Sequence, residues 1–428
     1  MVNSAAMAEP LSDVDPPPLS PRPRAKRGPK PAPPVRGEDL FGTKHVRILQ
    51  QHLAHLRVAH AHPNRTLFYD DVAIAYLLAF FTPTIRSLRT IEDFSQTPQM
   101  QASISVERMA RSTLSDANKV FDPTLLEPII QDLRARLPDL RRTDGPLAEL
   151  LGRVRAVDSS LFTVAADVAW ALRQRRPNQK KRATIRLNLQ WAAAIGVPEG
   201  VEVTGAGVSE GASLMAHLEP DVVYVMDRGY ASFELLDRIL HACSDFVVRL
   251  KSNVNFVAIK DLPLSDDDRA AGVVTDRVGR LGGSNGVHPT GALLRETIIL
   301  DPKRPDRPVR LLSSITDVPA RVVGELYRSR WQIELFFRWL KVHAHFEHLI
   351  SHSKNGVTSG FYIAVIAVLL IYVHTQRPVS KYAFAMLGLV AGGQATLADV
   401  LPILERRERE CRLDAERRAR KKAEKTGS

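Results

Sequence analysis

Cysteine is scarce in this chain, with only Cys243 and Cys411 among 428 residues. Two cysteines this far apart give no disulfide framework and exclude a zinc site built on cysteine ligands. Residues 1–40 also lack the apolar segment of a secretory signal peptide. The most apolar run, residues 361–373, has 13 residues, whereas a membrane-spanning helix needs about 20. We therefore expect a soluble protein of a reducing cytoplasm, with residues 361–373 forming a buried core helix.

Acidic residues are outnumbered by basic ones. The chain has 59 lysines and arginines against 47 aspartates and glutamates, a formal net charge of +12, and a pI of about 9.8. Such a balance favours a polyanionic partner, nucleic acid before a membrane surface, although charge alone says nothing about the fold. At this length the chain can hold two or three domains with full cores.

The chain divides by composition into four segments. Residues 1–40 hold ten prolines with interleaved cations and are expected to be disordered, because such a segment buries too little apolar surface to offset its ordering entropy. Residues 41–140 show apolar positions at helical spacing and predict an all-helical domain. The turn-forming segment RRTDGP, residues 141–146, reads as a linker. Residues 376–428 predict C-terminal helices and a basic tail.

Residues 150–375 change to an alternation of strands and helices. The first strand, within residues 154–160, is expected to end at Asp158, and two further strands follow it. Ser209 is a plausible cap for the next helix, with Glu210 behind it. The apolar run VVYVM then predicts a buried central strand that ends at Asp227. After one more helix and strand, residues 252–315 read as a β-rich insertion, because strand-like runs alternate there with Gly- and Pro-rich turns.

The segment LYRSRWQIELFFRWLK, residues 326–341, concentrates polar groups on one side of a predicted helix. From Tyr327, the residues Arg330, Glu334 and Lys341 follow at i+3, i+7 and i+14 and share a narrow stripe. Bulky apolar residues flank that stripe on both sides. The arrangement suits a carboxylate at the edge of a groove with cations for an anionic partner. Taken alone, however, the stripe is more typical of a solvated helix face with ordinary charge pairing.

The spacing Tyr-x2-Arg-x3-Glu-x6-Lys resembles the Y-R-E-K signature of bacterial insertion-sequence transposases of the DDE type. The words VDSS around Asp158 and DRGY after Asp227 are similar to the family's two aspartate boxes. The resemblance covers roughly residues 110–375. It implies an α/β ribonuclease H-like catalytic domain with a β-rich insertion, preceded by an all-helical, DNA-binding N-terminal domain and followed by C-terminal helices.

The resemblance also implies a reaction and its residues. Asp158, Asp227 and Glu334 would be catalytic and would hold two Mg²⁺ ions, or Mn²⁺, for hydrolysis and strand transfer at the ends of the element. Tyr327, Arg330 and Lys341 would grip DNA phosphates, with help from Arg228 beside the second aspartate. The partners implied are double-stranded DNA and a second copy of the chain on paired ends, in the bacterial cytoplasm at the nucleoid.

Two other functions stay open on the residues alone. One is a DNA-binding relic or repressor that no longer cuts, and the other is a metal-dependent nuclease without strand transfer. Ser159 and Ser160, and the run VSEGAS after the third strand, depart from the family's usual residues. His345, His348 and His352 have helical spacing but are expected to form a half-buried polar face and not a metal site. Trp331 and Trp339 are expected in the core, with base stacking as the alternative.

Overall fold

The fold is described from a computed structural model of the chain. It describes residues 43–426 except 61–64, 82–84, 86, 102, 138–145, 165–167, 174–181, 284–285, 288–290, 302–303, 343–349, 376–381, 383–384, 387–388, 390–394 and 396. The predicted tail 1–40 and linker 141–145 therefore lie outside the described residues, as do His345 and His348.

The N-terminal segment is helical, as the apolar spacing predicts. Its helices are α1 (Thr43–Val58), α2 (Tyr69–Phe81), α3 (Leu88–Phe94), α4 (Pro98–Gln101), α5 (Arg111–Val120) and α6 (Glu127–Ala135), with a 3-10 turn at Pro123–Leu126 before α6. Local signals fix several ends: Ser87 forms a capping box with Thr90, and Asp70 and Asp71 lie in the first turn of α2. Asp70 also pairs with Arg57 of α1 at 2.7 Å, which ties these two helices together.

Within the described residues, one sheet of 11 strands forms the body of the protein. After α7 (Pro146–Leu151), its first strands are β1 (Val154–Val164), β2 (Leu172–Arg173), β3 (Arg182–Ala192), β4 (Val197–Gly205), β5 (Val223–Met226) and β6 (Asp245–Arg249). β3 pairs antiparallel with β4 on one side and with β1 on the other. β1, β5 and β6 run parallel to one another. Every residue of β5 is buried, because this central strand has a strand on each side and helices over both faces.

The β-rich segment extends the same sheet beyond β6. Its strands are β7 (Asn255–Asp261), β8 (Val273–Gly283), β9 (Gly286–Val287), β10 (Leu294–Asp301) and β11 (Arg304–Ser313). The order β6-β11-β10-β8-β7 is antiparallel throughout. The strand-like runs seen in the sequence are thus confirmed as strands, and pairing of β11 with β6 is what joins them to the central sheet.

Helices cover both faces of the sheet. Two helices connect the central strands along the chain: α8 (Glu210–Met215) follows β4 and α9 (Phe233–His241) follows β5. α9 packs beside Val157 and Tyr224 on one face of the sheet. A short helix, α10 (Asp266–Ala270), lies between β7 and β8. The opposite face is covered by α11 (Ala320–Ser329), which packs on Val225 and Val247, and by α12 (Trp331–Val342), which packs near Ala156 and Phe162.

The long apolar helix α13 (Lys354–Thr375) extends beyond the 13-residue run 361–373. Its 20-residue stretch Lys354–Val373 has the length and mean hydropathy, 2.2, of a membrane span, but 83% of an 18-residue window within it is buried inside the protein. It packs on α2, α5, α6 and β4, and one apolar cluster runs from Leu49 of α1 to Tyr372 of α13. The expectation of a buried core helix is confirmed. The chain then ends in α14 (Leu397–Thr426), a basic helix as predicted for the tail.

Candidate active site

Two aspartates lie side by side at the end of the parallel part of the sheet. Val157 of β1 pairs with Met226 of β5 in the last step of their ladder. Asp158 directly follows Val157, and Asp227 directly follows Met226. Asp227 ends β5, as predicted. Asp158 does not end β1, because antiparallel pairing with β3 holds that strand extended as far as Val164. What stops at Asp158 is the pairing with β5, and the two carboxylates meet where the strands separate.

Arg330 bridges the carboxylates of Asp158 and Glu334. Its Nη1 donates to Asp158 Oδ2 over 3.0 Å, and its Nη2 donates to Glu334 Oε1. Asp158 and Arg330 are 172 positions apart in the chain, so this contact depends on the whole sheet being formed. The side chain of Arg330 is only 12% exposed. The fold therefore gathers Asp158, Arg330 and Glu334 in one half-buried group.

The helix that carries these residues is broken, contrary to the single helix expected over residues 326–341. Tyr327 lies on α11 and Glu334 on α12, with Arg330 at the junction. The backbone tightens there, since Arg330 N bonds Tyr327 O and Ile333 N bonds Arg330 O, both i to i−3 contacts of a 3-10 turn. Ser329 Oγ also donates to Leu326 O over 2.6 Å, a side-chain bond that bends helices. The break turns Arg330 towards β1.

Burial and neighbouring charges shift the pKa values of Asp158 and Arg330. The pKa of Asp158 is raised to about 6, mainly by burial and less by the charges of Asp227 and Glu334, while Arg330 and the Ser159 N–H act to lower it. Burial alone would lower the pKa of Arg330, but the groups of Tyr327, Asp158 and Glu334 raise it overall. The guanidinium thus stays charged while Asp158 is costly to ionise, which marks a site that favours added positive charge.

The donor atoms suit a hard divalent cation. Asp158, Asp227 and Glu334 offer carboxylate oxygens, the ligands that Mg²⁺ and Mn²⁺ prefer. Among the residues described, no three acidic, histidine or cysteine side chains lie close enough together to coordinate one ion, and Arg330 lies between Asp158 and Glu334. The ligand chemistry therefore fits such an ion, and side-chain movement at Arg330 is needed for these three carboxylates to share it.

The predicted DNA-contacting residues lie around this group. Tyr327 packs under Arg330, whose guanidinium carbon lies 5.6 Å from the ring centroid. Lys341 lies over the ring of Phe162, further along β1, at 5.2 Å. Arg228 is exposed in the turn after Asp227. All three are thus placed near the carboxylates or along the helix beside them.

Trp331 differs from the expectation of a core role. It is 52% exposed, and Leu335 on the same side of α12 is 45% exposed. The apolar stripe of α12 is filled instead by Ile333, Phe337 and Leu340, which are buried. The side chain of Trp339 lies outside the described residues, and His352 is exposed, with its backbone carbonyl accepting a bond from the Trp170 indole at 2.9 Å.

Sequence reasoning missed a group on the other side of β1. Ser159 Oγ donates to Glu210 Oε1 over 2.7 Å, Arg186 contacts both residues, and Tyr230 is buried nearby. Burial raises the pKa of Tyr230, and the charges of Glu210, Asp158 and Asp227 raise it further. The only sequence signal was Glu210 behind its cap Ser209; its pairing with Arg186 needs the β1–β3 register, which the sequence does not show.

Comparison with known proteins places the chain in a family. The model of the family described as Transposase DDE domain matches residues 149–370, and members of this family generally use a divalent metal ion. That span includes Asp158, Asp227, Glu334 and the elements that carry them.

Three curated relatives are transposases by name. The chain is 26% identical over 219 residues to a probable transposase for insertion sequence element IS5377 of Geobacillus stearothermophilus, covering 51% of this chain and 55% of the relative. It is 26% identical over 257 residues to a putative transposase of Sinorhizobium fredii, covering 56% and 69%. A putative transposase for insertion sequence element IS4SA of Synechocystis is 23% identical over 271 residues, covering 61% and 70%. The chain thus spans about half the length of the first of these relatives.

A solved piggyBac transposase synaptic complex with hairpin DNA aligns over 83% of this chain and 79% of that chain. Its TM-score of 0.38 and 12% identity are too low to carry a structural argument. The family model, in contrast, covers more than half of the chain and includes the strands and the helix that carry the site. The chain belongs to the family of proteins with a transposase DDE domain.

Proposed function

We propose that this protein is a DNA transposase that cuts at the ends of an insertion sequence and joins the freed 3′ ends to target DNA. The contact of Arg330 with both Asp158 and Glu334 carries the proposal. It gathers the carboxylate of Asp158 from β1 and that of Glu334 from a distant helix, beside Asp227, in a chain that belongs to a transposase family. The relatives named as insertion-sequence transposases support the same activity.

The catalytic fold is, on this proposal, ribonuclease H-like. The order β4-β3-β1-β5-β6, with three antiparallel strands followed by two parallel ones, is the order expected of that fold. It supports a catalytic domain over residues 150–375, with the strands of residues 252–315 as its β-rich insertion. The helical segment 41–140 would then bind the ends of the element.

Asp158, Asp227 and Glu334 would hold two Mg²⁺ ions, with Mn²⁺ as a substitute. Bound there, the ions would supply an activated nucleophile and stabilise the leaving oxygen of the phosphodiester. The protein's part is rigid placement. Asp158 and Asp227 extend from adjacent parallel strands at the carboxyl edge of the sheet, where α/β proteins bind ligands, and α12 brings Glu334 to them.

Arg330 would have two roles, one toward the carboxylates and one toward DNA. Without ions it neutralises Asp158 and Glu334, which would otherwise repel each other in a half-buried space. If the carboxylates held divalent ions instead, the guanidinium would be free to fork onto a DNA phosphate. Tyr327 beneath it limits where the guanidinium can move.

Lys341 would hold the DNA strand further from the cleavage point. Seven residues of helix separate it from Glu334, a rise of roughly 10 Å. At about 3.4 Å of axial rise per phosphate along one strand, the two positions are about three phosphates apart. The Nζ of Lys341 lies over the ring of Phe162 of β1, which holds this point charge beside the strand, where it would contact the DNA backbone. Arg228 would add a contact beside Asp227.

The reaction implies DNA with paired ends, and hence a homodimer on DNA, acting in the bacterial cytoplasm at the nucleoid. A DNA-binding relic or repressor, and a nuclease without strand transfer, remain the alternatives. A strand-transfer assay separates all three: labelled DNA bearing the element's own end is incubated with protein, Mg²⁺ and an unlabelled circular target. We expect labelled 3′ ends joined to the target. Cleaved but unjoined DNA would instead identify a nuclease, and bound but uncut DNA a relic.

A further inference from the structure

A second carboxylate–guanidinium pair lies on the opposite face of β1 from Arg330. Side chains alternate along a strand, so Asp158 and Ser159 point to opposite faces. Asp158 meets Arg330, whereas Ser159 Oγ donates to Glu210 Oε1 over 2.7 Å. Arg186 Nη1 contacts the same oxygen of Glu210 and donates to Ser159 Oγ over 2.9 Å. Ser159, Glu210 and Arg186 therefore form a closed polar network directly behind Asp158.

The fold fixes both charged members of this network. Arg186 of β3 pairs across the ladder with Leu161 of β1, which puts it on the same face as Ser159, and its side chain is only 12% exposed. Glu210 is the first residue of α8, after the Ser209 cap. A half-buried ion pair whose two partners are held by separate elements has little freedom to rearrange.

The other oxygen of Glu210 faces the turn that carries Asp227. A Cβ atom placed on Gly229 would lie 2.9 Å from Asp227 Oδ1 and 3.1 Å from Glu210 Oε2. Both oxygens are thus close to one point, and they are at most about 6 Å apart. Gly229 N also donates to Asp227 Oδ1 over 2.6 Å. A residue with a side chain at position 229 would push against both carboxylates, so the glycine lets them approach.

Tyr230 closes this space from behind. It is 1% exposed, and its hydroxyl has no hydrogen-bond partner within the part of the chain that the structure describes. Together with Glu210 and Val157 it lines a cavity of about 540 Å³ between β3, β4 and the helices. Glu210 thus lies between this cavity and the turn that follows Asp227.

We propose that Glu210 is a positioning residue for both aspartates of the active site. With one oxygen it accepts from Ser159, whose N–H donates to Asp158 Oδ1 over 2.8 Å, and its other oxygen lies beside Gly229 in the turn that begins at Asp227. Residues that orient ligating carboxylates typically change metal affinity roughly 10–100-fold when they are removed. The inference rests on the proposed function, because it gives Glu210 a role toward the ions that Asp158 and Asp227 would hold.

The test measures metal binding and not turnover. Isothermal titration calorimetry with Mn²⁺, on the full chain without DNA, compares the wild type with Glu210→Ala and Glu210→Gln. We expect Glu210→Ala to weaken Mn²⁺ binding by about 10-fold or more. Glu210→Gln keeps an acceptor for Ser159 and should weaken binding less. The matched control is Glu219→Gln, which removes the same charge from the same cavity at a residue paired with Arg155; its Mn²⁺ affinity should equal that of the wild type.

Asp227→Asn separates failure of this inference from failure of the proposed function. If Asp227→Asn loses Mn²⁺ binding while Glu210→Ala binds as the wild type does, Glu210 is only a structural ion pair and the inference is wrong. If Asp227→Asn also binds normally, the proposed metal site itself is wrong. Thermal melting of each variant is recorded alongside. Should Glu210→Ala fail to fold, Ser159→Ala, which removes the donor and keeps the charge, must weaken Mn²⁺ binding, and unchanged affinity there would equally overturn the inference.

Discussion

Replacing Asp158 by asparagine should stabilise the metal-free protein. The side chain is 18% exposed, and burial raises its pKa from 3.8 to about 6 even with Arg330 alongside. Each pKa unit corresponds to about 1.4 kcal/mol, so ionising Asp158 in the folded protein costs about 3 kcal/mol relative to the unfolded chain. Asparagine keeps the shape and avoids that cost. We therefore expect Asp158→Asn to raise the free energy of unfolding at pH 7.5 by up to about 3 kcal/mol.

The sign of the pH dependence is specific. Between pH 3.8 and about 6 the folded state keeps a proton on Asp158 that the unfolded chain has lost, so this residue makes stability fall as pH rises through that window. Urea unfolding in EDTA at several pH values measures it for the wild type, Asp158→Asn and a control, Asp116→Asn, whose side chain is 73% exposed. The gap between wild type and Asp158→Asn should open between pH 4 and 6. Lower stability of Asp158→Asn at pH 7.5, or parallel pH profiles, would refute the reasoning.

Three further outcomes are expected. Lys341→Ala should weaken DNA binding at every sequence and reduce the salt slope of the affinity by about 1, as measured by fluorescence anisotropy over a salt series; an unchanged slope would remove Lys341 from the interface. Trp331 is 52% exposed beside Glu334, so DNA should quench tryptophan emission in the wild type and quench it less in Trp331→Phe; equal quenching would place the DNA elsewhere. Ile333→Ala empties a fully buried position of α12 and should cost about 2–5 kcal/mol in urea unfolding, whereas Leu335→Ala, on an exposed position, should cost far less.

The central strands were predictable because their hydrophobic pattern leaves few alternatives. The run VVYVM is apolar at every position and became the fully buried strand β5, and Asp227 follows it as expected. The strand-like runs of residues 252–315 were also correct in type. That they continue the central sheet through β11 and β6 was not predictable, since the pairing of strands 62 positions apart depends on tertiary packing.

Local geometry at the site was harder to predict. The stripe of Tyr327, Arg330, Glu334 and Lys341 suggests one helix, yet the structure breaks it at Arg330, where Ser329 bonds back to Leu326. Helical periodicity in the sequence does not reveal a single tightened turn, because the apolar positions on either side of the turn still repeat with nearly the same spacing. Trp331 was expected in the core, but the core-facing positions of α12 are occupied by Ile333, Phe337 and Leu340.

The role of Glu210 was beyond sequence reasoning for a different reason. Its partners, Ser159 and Arg186, come from two other strands, and they meet only when β1 and β3 pair in the observed register. A shift of one residue would turn Arg186 to the opposite face. Sequence patterns therefore identify residues that resemble a known motif. They do not reveal a residue such as Glu210, whose contacts join elements that are far apart in the chain.

The central claim is that Glu334 belongs to one metal-dependent active site with Asp158 and Asp227. The most direct measurement is Mg²⁺-dependent nicking of a labelled duplex that carries the element's own end, by the wild type, Glu334→Ala and the control Glu325→Ala on α11. We predict nicking by the wild type and Glu325→Ala, and no nicking by Glu334→Ala although it binds the same DNA. Nicking that persists in Glu334→Ala would contradict the account and reduce the Arg330–Glu334 contact to an ordinary ion pair between turns of a helix.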